Sequence, residues 1–594
     1  MGAMAARSAA GGRAAAEGPS PSRLRKPSAS LPCRRLLNTG GRMLAEVWPI
    51  AGRQLGEIRQ LSKNSSPKPA KNRREYRERG EWKIGTVFAL SRCVLTHVLS
   101  ATVIGIEAAP IHVEVDVANG LPGCHIVGLP DAGVKEGRVR IRSAIENSGF
   151  KYPLRRITVN LAPADMRKDG AAFDMPIAIG ILSAAGVIPQ EVNENSLFVG
   201  ELALDGRVRP VRGVLPMAAY ARTRAIPRLF VPRENAPEAA VVRGACKVIP
   251  IGHLGELIEA LQGEAASAEP VLPPAFMPTT GADLADVHGQ EVARRALEIA
   301  AAGGHNILFV GPPGSGKTML ARRLPGLLPP LSFDESLETT MVYSVAGMLA
   351  GRSLVTERPF RAPHHTVSVA GLAGGGPAVR PGEISLAHNG VLFLDELLEF
   401  GRPALEALRQ PLEEREIAVV RARRTVIFPA DFMLVAALNP CPCGHLGNRL
   451  RTCTCSQLAI NAYRAKLSGP LLDRIDMHVE VPALTYRELA AKESGESTAA
   501  VRARVEEARG RQLERGPRAN ARLSTPDLAR FAVLDSDGHR ILERAVERLA
   551  LSARAIERVR RLARTIADME ASESVRSPHV AEALQYRFLD REAT

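Results

Sequence analysis

One octapeptide, Gly311-Pro312-Pro313-Gly314-Ser315-Gly316-Lys317-Thr318, constrains this chain more than any other segment. An apolar run, Asn306-Ile-Leu-Phe-Val310, precedes it, and a helix-compatible stretch, Met319-Leu-Ala-Arg-Arg-Leu324, follows. Strand, glycine-rich loop and helix in that order let backbone N–H groups close around phosphates. Lys317 then reaches the β/γ-oxygens, and the Thr318 hydroxyl holds Mg²⁺. A plain Gly/Pro turn before a helix has no use for the terminal Gly-Lys-Thr. The segment predicts an α/β sheet that binds ATP with Mg²⁺.

Further residues of hydrolytic type follow. Gly390-Val-Leu-Phe-Leu ends in Asp395-Glu396, which reads as a buried parallel strand with two acids at its carboxyl end. Asp395 suits Mg²⁺, and Glu396 suits polarising a water for in-line attack on the γ-phosphate. Phe432-Met-Leu-Val-Ala-Ala-Leu438 is a third strand, and the Asn439 amide after it can orient that water. Arg474, between Asp473 and Asp476, is a candidate finger for a neighbouring subunit's ATP, an effect of about 10³–10⁵ in rate. Its plainer reading is a surface ion pair with Asp473 or Asp476. Arg554, in Ser552-Ala-Arg-Ala-Ile-Glu557, falls on a helix placed to close over the nucleotide.

Charge is distributed unevenly. The net charge is +15, but residues 1–94 carry 19 Lys/Arg against 6 Asp/Glu and no Asp at all. The rest is nearly neutral, so global basicity says little about the folded body. Residues 1–94 are expected to be a disordered basic extension, an organellar transit peptide, or upstream sequence translated from a misassigned start, with Val94-Leu95 as the true beginning. Alternating residues 110–117 and the run 155–161 read as strands, Met175–Ala185 as a buried helix, and 197–206 as a hairpin. The expected organisation is an α/β domain at 95–262, a linker at 263–280, the nucleotide-binding domain at 281–485 and a small helical lid at 486–594. With eight cysteines in 594 residues, four of them clustered, and no spanning apolar run, the sequence reads as cytoplasmic, with no membrane partner.

These motifs, in this order, resemble the ComM family of magnesium-chelatase-like AAA+ ATPases of natural transformation. Asp286-Val-His-Gly-Gln290, Arg295 to Asn306, Arg361-Ala-Pro-His-His-Thr366, Pro381 to Asn389, Leu405 to Pro411, Ala563 to Asp568 and Glu582 to Arg587 carry the likeness over residues 95–590. It implies an AAA+ P-loop core with a helical lid, preceded by a Lon-protease-like (ribosomal S5-type) α/β domain. It also implies a homo-hexameric ring with shared ATP sites, single-stranded and branched DNA as substrate, and recombination proteins as possible partners. In the front domain Ala172 stands where a Lon-type protease has its serine, and Leu215 stands where it has its lysine. A Ser–Lys mechanism therefore has neither group. The likeness assigns no role to His364 and His365, which lack a third ligand at metal spacing and suit a structural role.

Two further clusters carry chemistry. Cys441-Pro-Cys443 and Cys453-Thr-Cys455 suit one tetrahedral Zn²⁺, with free thiols or a labile disulfide as the competing readings. Arg415 to Ile427 reads as a hairpin whose turn bears Arg421, Arg423 and Arg424. In a ring it can face the pore and contact DNA phosphates; otherwise it is a solvated edge. Gly371 to Gly376 is a candidate second pore loop. The leading reading is an ATP-driven branch-migration motor. The alternatives are a motor subunit for Mg²⁺ insertion into a porphyrin, and an ATP-gated scaffold. The front domain and cysteine loop weigh against the chelatase reading, because the chelatase likeness is expected over the ATPase core alone.

Overall fold

The apolar runs Ile307–Val310, Val391–Leu394 and Met433–Leu438 are buried at every residue and become neighbouring strands. They form the centre of a five-stranded parallel sheet in the order Phe360–Arg361, Val391–Leu394, Met433–Leu438, Ile307–Val310, Met477–Glu480. Continuous apolar strands are what a parallel sheet covered on both faces requires. Alternation still assigns each side chain to a face. Ile307, Phe309, Val391, Phe393, Met433 and Val435 join one core, while Leu308, Val310, Leu392, Leu394, Leu434 and Ala436 join another.

The computed structural model describes residues 94–592, apart from residues 167, 169, 191–194, 243, 245, 264–266, 270–281, 350, 377–378, 422–423, 449–450, 490–494 and 517. All of the described residues fall in one unit, Leu90–Thr594. Residues 1–93 of the expected extension, and most of the expected linker, lie outside them. Among the described residues no helix is long and apolar enough to cross a membrane.

The carboxy-terminal helices are more than an appended lid. Thr498–Arg515 and Ala553–Met569 pack with Glu291–Gly303 against one face of the sheet, and all three feed the same core. In Ala553–Met569 the buried Ala555, Val559, Leu562, Ala563, Ile566 and Ala567 recur at helical spacing. The opposite face is covered by Leu397–Leu408 and by the hairpin Glu416–Arg421/Arg424–Pro429, through Ile417, Val426 and Phe428.

Residues 94–251 build a second, mixed sheet. Its order is Gly123–Val127, Arg156–Ala162, Glu107–Ala118, Val94–Ile104, Ser196–Phe198, Arg228–Pro232, Lys247–Ile251. The helix Asp174–Ala184 is buried along nearly its whole length and packs on Val94–Ile104 and Glu107–Ala118. The expected hairpin turns at Asp205-Gly206, but only Glu201–Leu202 of the expected first strand belongs to it. Ser196–Phe198 pairs in parallel within the main sheet, and a short hairpin joins Glu201–Leu202 to Val208–Arg209. Buried Leu197 and Phe198 satisfy a sheet interior better than a surface turn.

The two sheets touch through specific contacts. Gly213 N–H donates to Ser344 O (3.1 Å), and the Ser344 hydroxyl donates to the Glu238 carboxylate (2.6 Å). Leu215 packs with Val241 and Leu354, so the position read as a lost lysine belongs to an apolar contact with the half that carries the parallel sheet. Ala172 accepts the Gly200 N–H through its carbonyl. Lys168 is fully buried, with its ammonium on Pro163 O.

Candidate active site

Strand register brings the polar ends together. Val310 pairs with Leu438, and Leu394 pairs with Ala436. Gly311, Asn439 and Asp395 therefore leave one edge of the sheet side by side, at the carboxyl ends of the strands where open α/β sheets bind ligands. Gly316 has φ 94°, a left-handed turn that only glycine adopts without strain. It starts the helix Lys317–Leu327 directly behind the loop.

Lys317 is buried, and its ammonium donates to Gly311 O (2.7 Å), Pro312 O (2.9 Å) and Asn439 Oδ1 (3.2 Å). Burial lowers its pKa, while Asp395 and Glu396 oppose that shift. The Thr318 hydroxyl donates to Asp395 Oδ2 (2.6 Å). Four sequence-selected residues, Lys317, Thr318, Asp395 and Asn439, thus meet as two neighbouring hydrogen-bonded pairs. A hydroxyl and a carboxylate are the oxygen donors that would hold hard Mg²⁺ beside phosphate oxygens. Ser315 Oγ is buried without a partner among the described residues, inside the loop that would hold the phosphates.

Glu396 sits at φ 51°, held by its N–H on Asp395 Oδ1 (3.0 Å), with its side chain 54% exposed. A carboxylate so placed is open to a water. His365 Nδ1 lies 3.6 Å from Glu396 Oε2, and its ring lies 4.1 Å from that of His364, tilted by 34°. Sequence reasoning searched for a third metal ligand around these histidines. The partner of His365 is instead the Glu396 carboxylate, just past the end of the adjacent strand Val391–Leu394. Beside the phosphate loop, a cavity of about 840 Å³ is lined by Gln290, Pro312, Leu446, Arg464, Leu484 and Tyr586. That volume lies within the range of small-ligand sites, roughly 300–1,000 Å³.

The two candidate arginines lie elsewhere. Arg474 precedes the strand Met477–Glu480, which runs parallel to Ile307–Val310, and both Asp476 and Met477 donate to Asn306 O. Arg474 is therefore at the edge where the strands begin, about 13 Å from its own phosphate loop for a four-residue strand. It is buried and pairs with Glu413 (2.5 Å), not with Asp473 or Asp476; its Nε has no partner among the described residues.

Arg554 is placed differently from the sequence expectation. It does not close over its own nucleotide loop, because its guanidinium also points at Glu413 (3.6 Å), beside Arg474. The cause lies in its helix, where Arg558 binds the buried Asp476 and fixes this turn to the strand-beginning edge. A polar cavity of about 270 Å³ there is lined by Asn306, Glu413, Arg415, Arg522, Arg554 and Arg558. Its arginines face the carboxylates of Glu413, Asp431, Asp476 and Glu557 in the same lining, and burial, then repulsion from Arg522, pushes Arg415 down to about 10.

Two further clusters are only partly described. Cys441, Cys443, Cys453 and Cys455 bring their sulfurs within 4.8 Å of one another. Backbone N–H donation from His445 and Thr454 holds the Cys443 thiol down at about 5. The hairpin is present as two antiparallel strands with Arg421 opposite Arg424. Arg423 lies outside the described residues, as do the Arg421 and Arg424 side chains.

Comparison with known proteins matches three stretches of the chain. The family models are "Magnesium chelatase, subunit ChlI" over residues 283–489, "Subunit ChlI of Mg-chelatase" over 113–235, and "Magnesium chelatase, subunit ChlI C-terminal" over 495–587. The second of these corrects the sequence argument, since the chelatase likeness extends into the front domain. The chain is 45% identical over 490 residues to the uncharacterized protein YifB of Salmonella typhimurium, covering 82% of this chain and 96% of that one. It is 45% identical over 504 residues to the competence protein ComM of Haemophilus influenzae, covering 84% and 98%. The magnesium-chelatase 67 kDa subunit of Chlorobaculum parvum is 28% identical over 159 residues, 26% of this chain and 23% of that protein. Identity at this level across nearly the whole of YifB and ComM, with family models on both sheets and the carboxy-terminal helices, places the chain in the ComM/YifB family of magnesium-chelatase-like proteins.

Proposed function

We propose that the protein is an AAA+ ATPase that works as a homo-hexameric ring and drives branch migration of DNA during uptake and recombination. The observation that carries this reading is the split of the site between two edges of one sheet. The strand-ending edge holds Lys317, Thr318, Asp395, Glu396 and Asn439. The strand-beginning edge holds Arg474 and Arg554, both on Glu413, beside an arginine-rich cavity. Each chain then carries two complementary half-sites, and head-to-tail association closes a ring.

In this mechanism Lys317 exchanges the carbonyls of Gly311 and Pro312 for β/γ-phosphate oxygens. Thr318 and Asp395 are the residues that would hold Mg²⁺, which would supply charge neutralisation for the phosphates. Glu396 accepts a proton from the attacking water, and Asn439 orients that water. Arg474 and Arg554 of the adjacent chain exchange Glu413 for the γ-phosphate and stabilise the transferring group.

DNA enters this reading through the competence-named relative and the arginine-bearing hairpin, whose base packs on the front sheet at Gly105. The front domain is read as Lon-protease-like without protease chemistry, serving to position the hairpin. A second reading, a motor for metal insertion into a porphyrin, is favoured by the chelatase family models. The test is ATP hydrolysis by the full chain, alone, with forked DNA and with a porphyrin-chelatase mixture. Stimulation by forked DNA, with strand exchange of the fork, supports the motor. Indifference to DNA together with stimulated chelation supports the second reading.

A further inference from the structure

Between Leu438 and Gln457 the chain forms neither helix nor strand among the described residues. Unsupported connections of this length are uncommon inside a packed protein unless something cross-links them. Here the cross-link is four sulfurs. Cys441 Sγ lies 3.4 Å from Cys443 Sγ and 3.6 Å from Cys453 Sγ, and Cys443 and Cys453 are 3.6 Å apart. These separations are far longer than a disulfide bond of about 2.05 Å. They are close to the ~3.8 Å edge of a tetrahedron with metal–sulfur bonds of ~2.3 Å. With all four sulfurs inside 4.8 Å, they converge on one ion and leave no room for a two-iron cluster. Leu446 N–H donates to Cys441 Sγ (3.3 Å) and Cys455 N–H to Cys453 Sγ (3.4 Å), the outer hydrogen bonds that thiolate ligands use.

The position of this loop gives it a task. Gly444, at φ 78°, is so close to the phosphate loop that a Cβ there would meet Pro313 Cδ at 2.6 Å. Leu446, Gly447 and Asn448 face Gly311 and Pro312 across the 840 Å³ cavity. Asn439, two residues before the first cysteine, accepts from Lys317.

We infer that Cys441, Cys443, Cys453 and Cys455 bind one Zn²⁺, and that the metal-locked loop is the wall that positions Pro313 and Asn439 for nucleotide. The coupling rests on the nucleotide reading of the phosphate loop; the metal site stands independently of it. Zn²⁺ brings no redox chemistry, and its role here is to fix backbone that has no core of its own.

The test uses the full chain purified without chelator. Elemental analysis is expected to give about one zinc per chain, with little in Cys453→Ser. Binding of a fluorescent ATP analogue is expected to weaken roughly tenfold when zinc is stripped and to return when zinc is restored. The reversible arm covers a Cys453→Ser chain that fails to fold. Protein loaded with Co²⁺ in place of zinc is expected to show thiolate charge-transfer bands that shift on adding ATP. A chain without zinc, or with iron in its place, that still binds nucleotide overturns the metal site and leaves the nucleotide reading standing. Zinc present with affinity and cobalt bands indifferent to nucleotide overturns the coupling. Zinc present in a wild type that binds no nucleotide overturns the coupling and the nucleotide reading together.

Discussion

Glu396 is exposed beside buried Lys317 and half-buried Thr318, Asp395 and Asn439. Its side chain makes none of their hydrogen bonds, so its removal leaves the phosphate contacts in place. Glu396→Gln is expected to bind ATP with unchanged affinity and to lose roughly 10²–10⁴ in turnover, as a missing general base does; single-turnover hydrolysis measures it. Asp476 offers a second residue-scale test. Burial alone would raise its pKa, yet Arg558, His305 and the Asn306 N–H together hold it well below the usual carboxylate range. Its folded pKa is thus below its unfolded value of about 3.9. The stabilisation it confers is complete above about pH 4 and is lost as the pH falls further. Asp476→Asn is expected to cost about 3–5 kcal/mol at pH 7, the usual result of breaking a buried pair, with the gap closing below about pH 4. Urea midpoints across pH 3–7 read this; a gap independent of pH contradicts it. The phosphate-loop residues and Asp395 were legible because their spacing encodes their chemistry. The pairing of Arg474 with Glu413, 61 positions earlier in the chain (474 − 413), was not legible, since no local pattern marks it.

At the scale of elements, the apolar strands announced a covered parallel sheet, and alternation assigned both of its faces. The partner of an amphipathic helix is a different matter. The apolar stripe of Ala553–Met569 shows in the sequence as a repeat, but its docking in the core of the sheet, with Arg558 on the distant Asp476, does not. That is why Arg554 was expected on the wrong edge. Ser196–Phe198 went unseen as a sheet strand because three residues carry too little periodicity beside the turn at Asp205-Gly206. The hairpin was legible, and its function is open to direct test. Replacing Arg421, Arg423 and Arg424 together with Ala is expected to weaken DNA binding and to make log K against log salt shallower by about 2–3. Titrations at several salt concentrations measure this, and unchanged affinity places the DNA path elsewhere.

For the whole molecule, the front domain shows what a sequence can and cannot say about lost chemistry. The absence of serine at Ala172 and of lysine at Leu215 was plain. The packing of Leu215 on Leu354, which joins the two sheets, was not. The larger claim is that one nucleotide site is assembled from two chains. Lys317→Ala leaves a chain with a working Arg474 but no phosphate grip; Arg474→Gln leaves the converse. Each variant alone is expected to be inactive. The deciding measurement is ATP hydrolysis by a mixture of the two, with co-assembly verified by affinity capture of one tagged chain. The account predicts that the mixture recovers hydrolysis, because some interfaces then join an intact Lys317 to an intact Arg474. Mixed assemblies that stay as inactive as their components would contradict it.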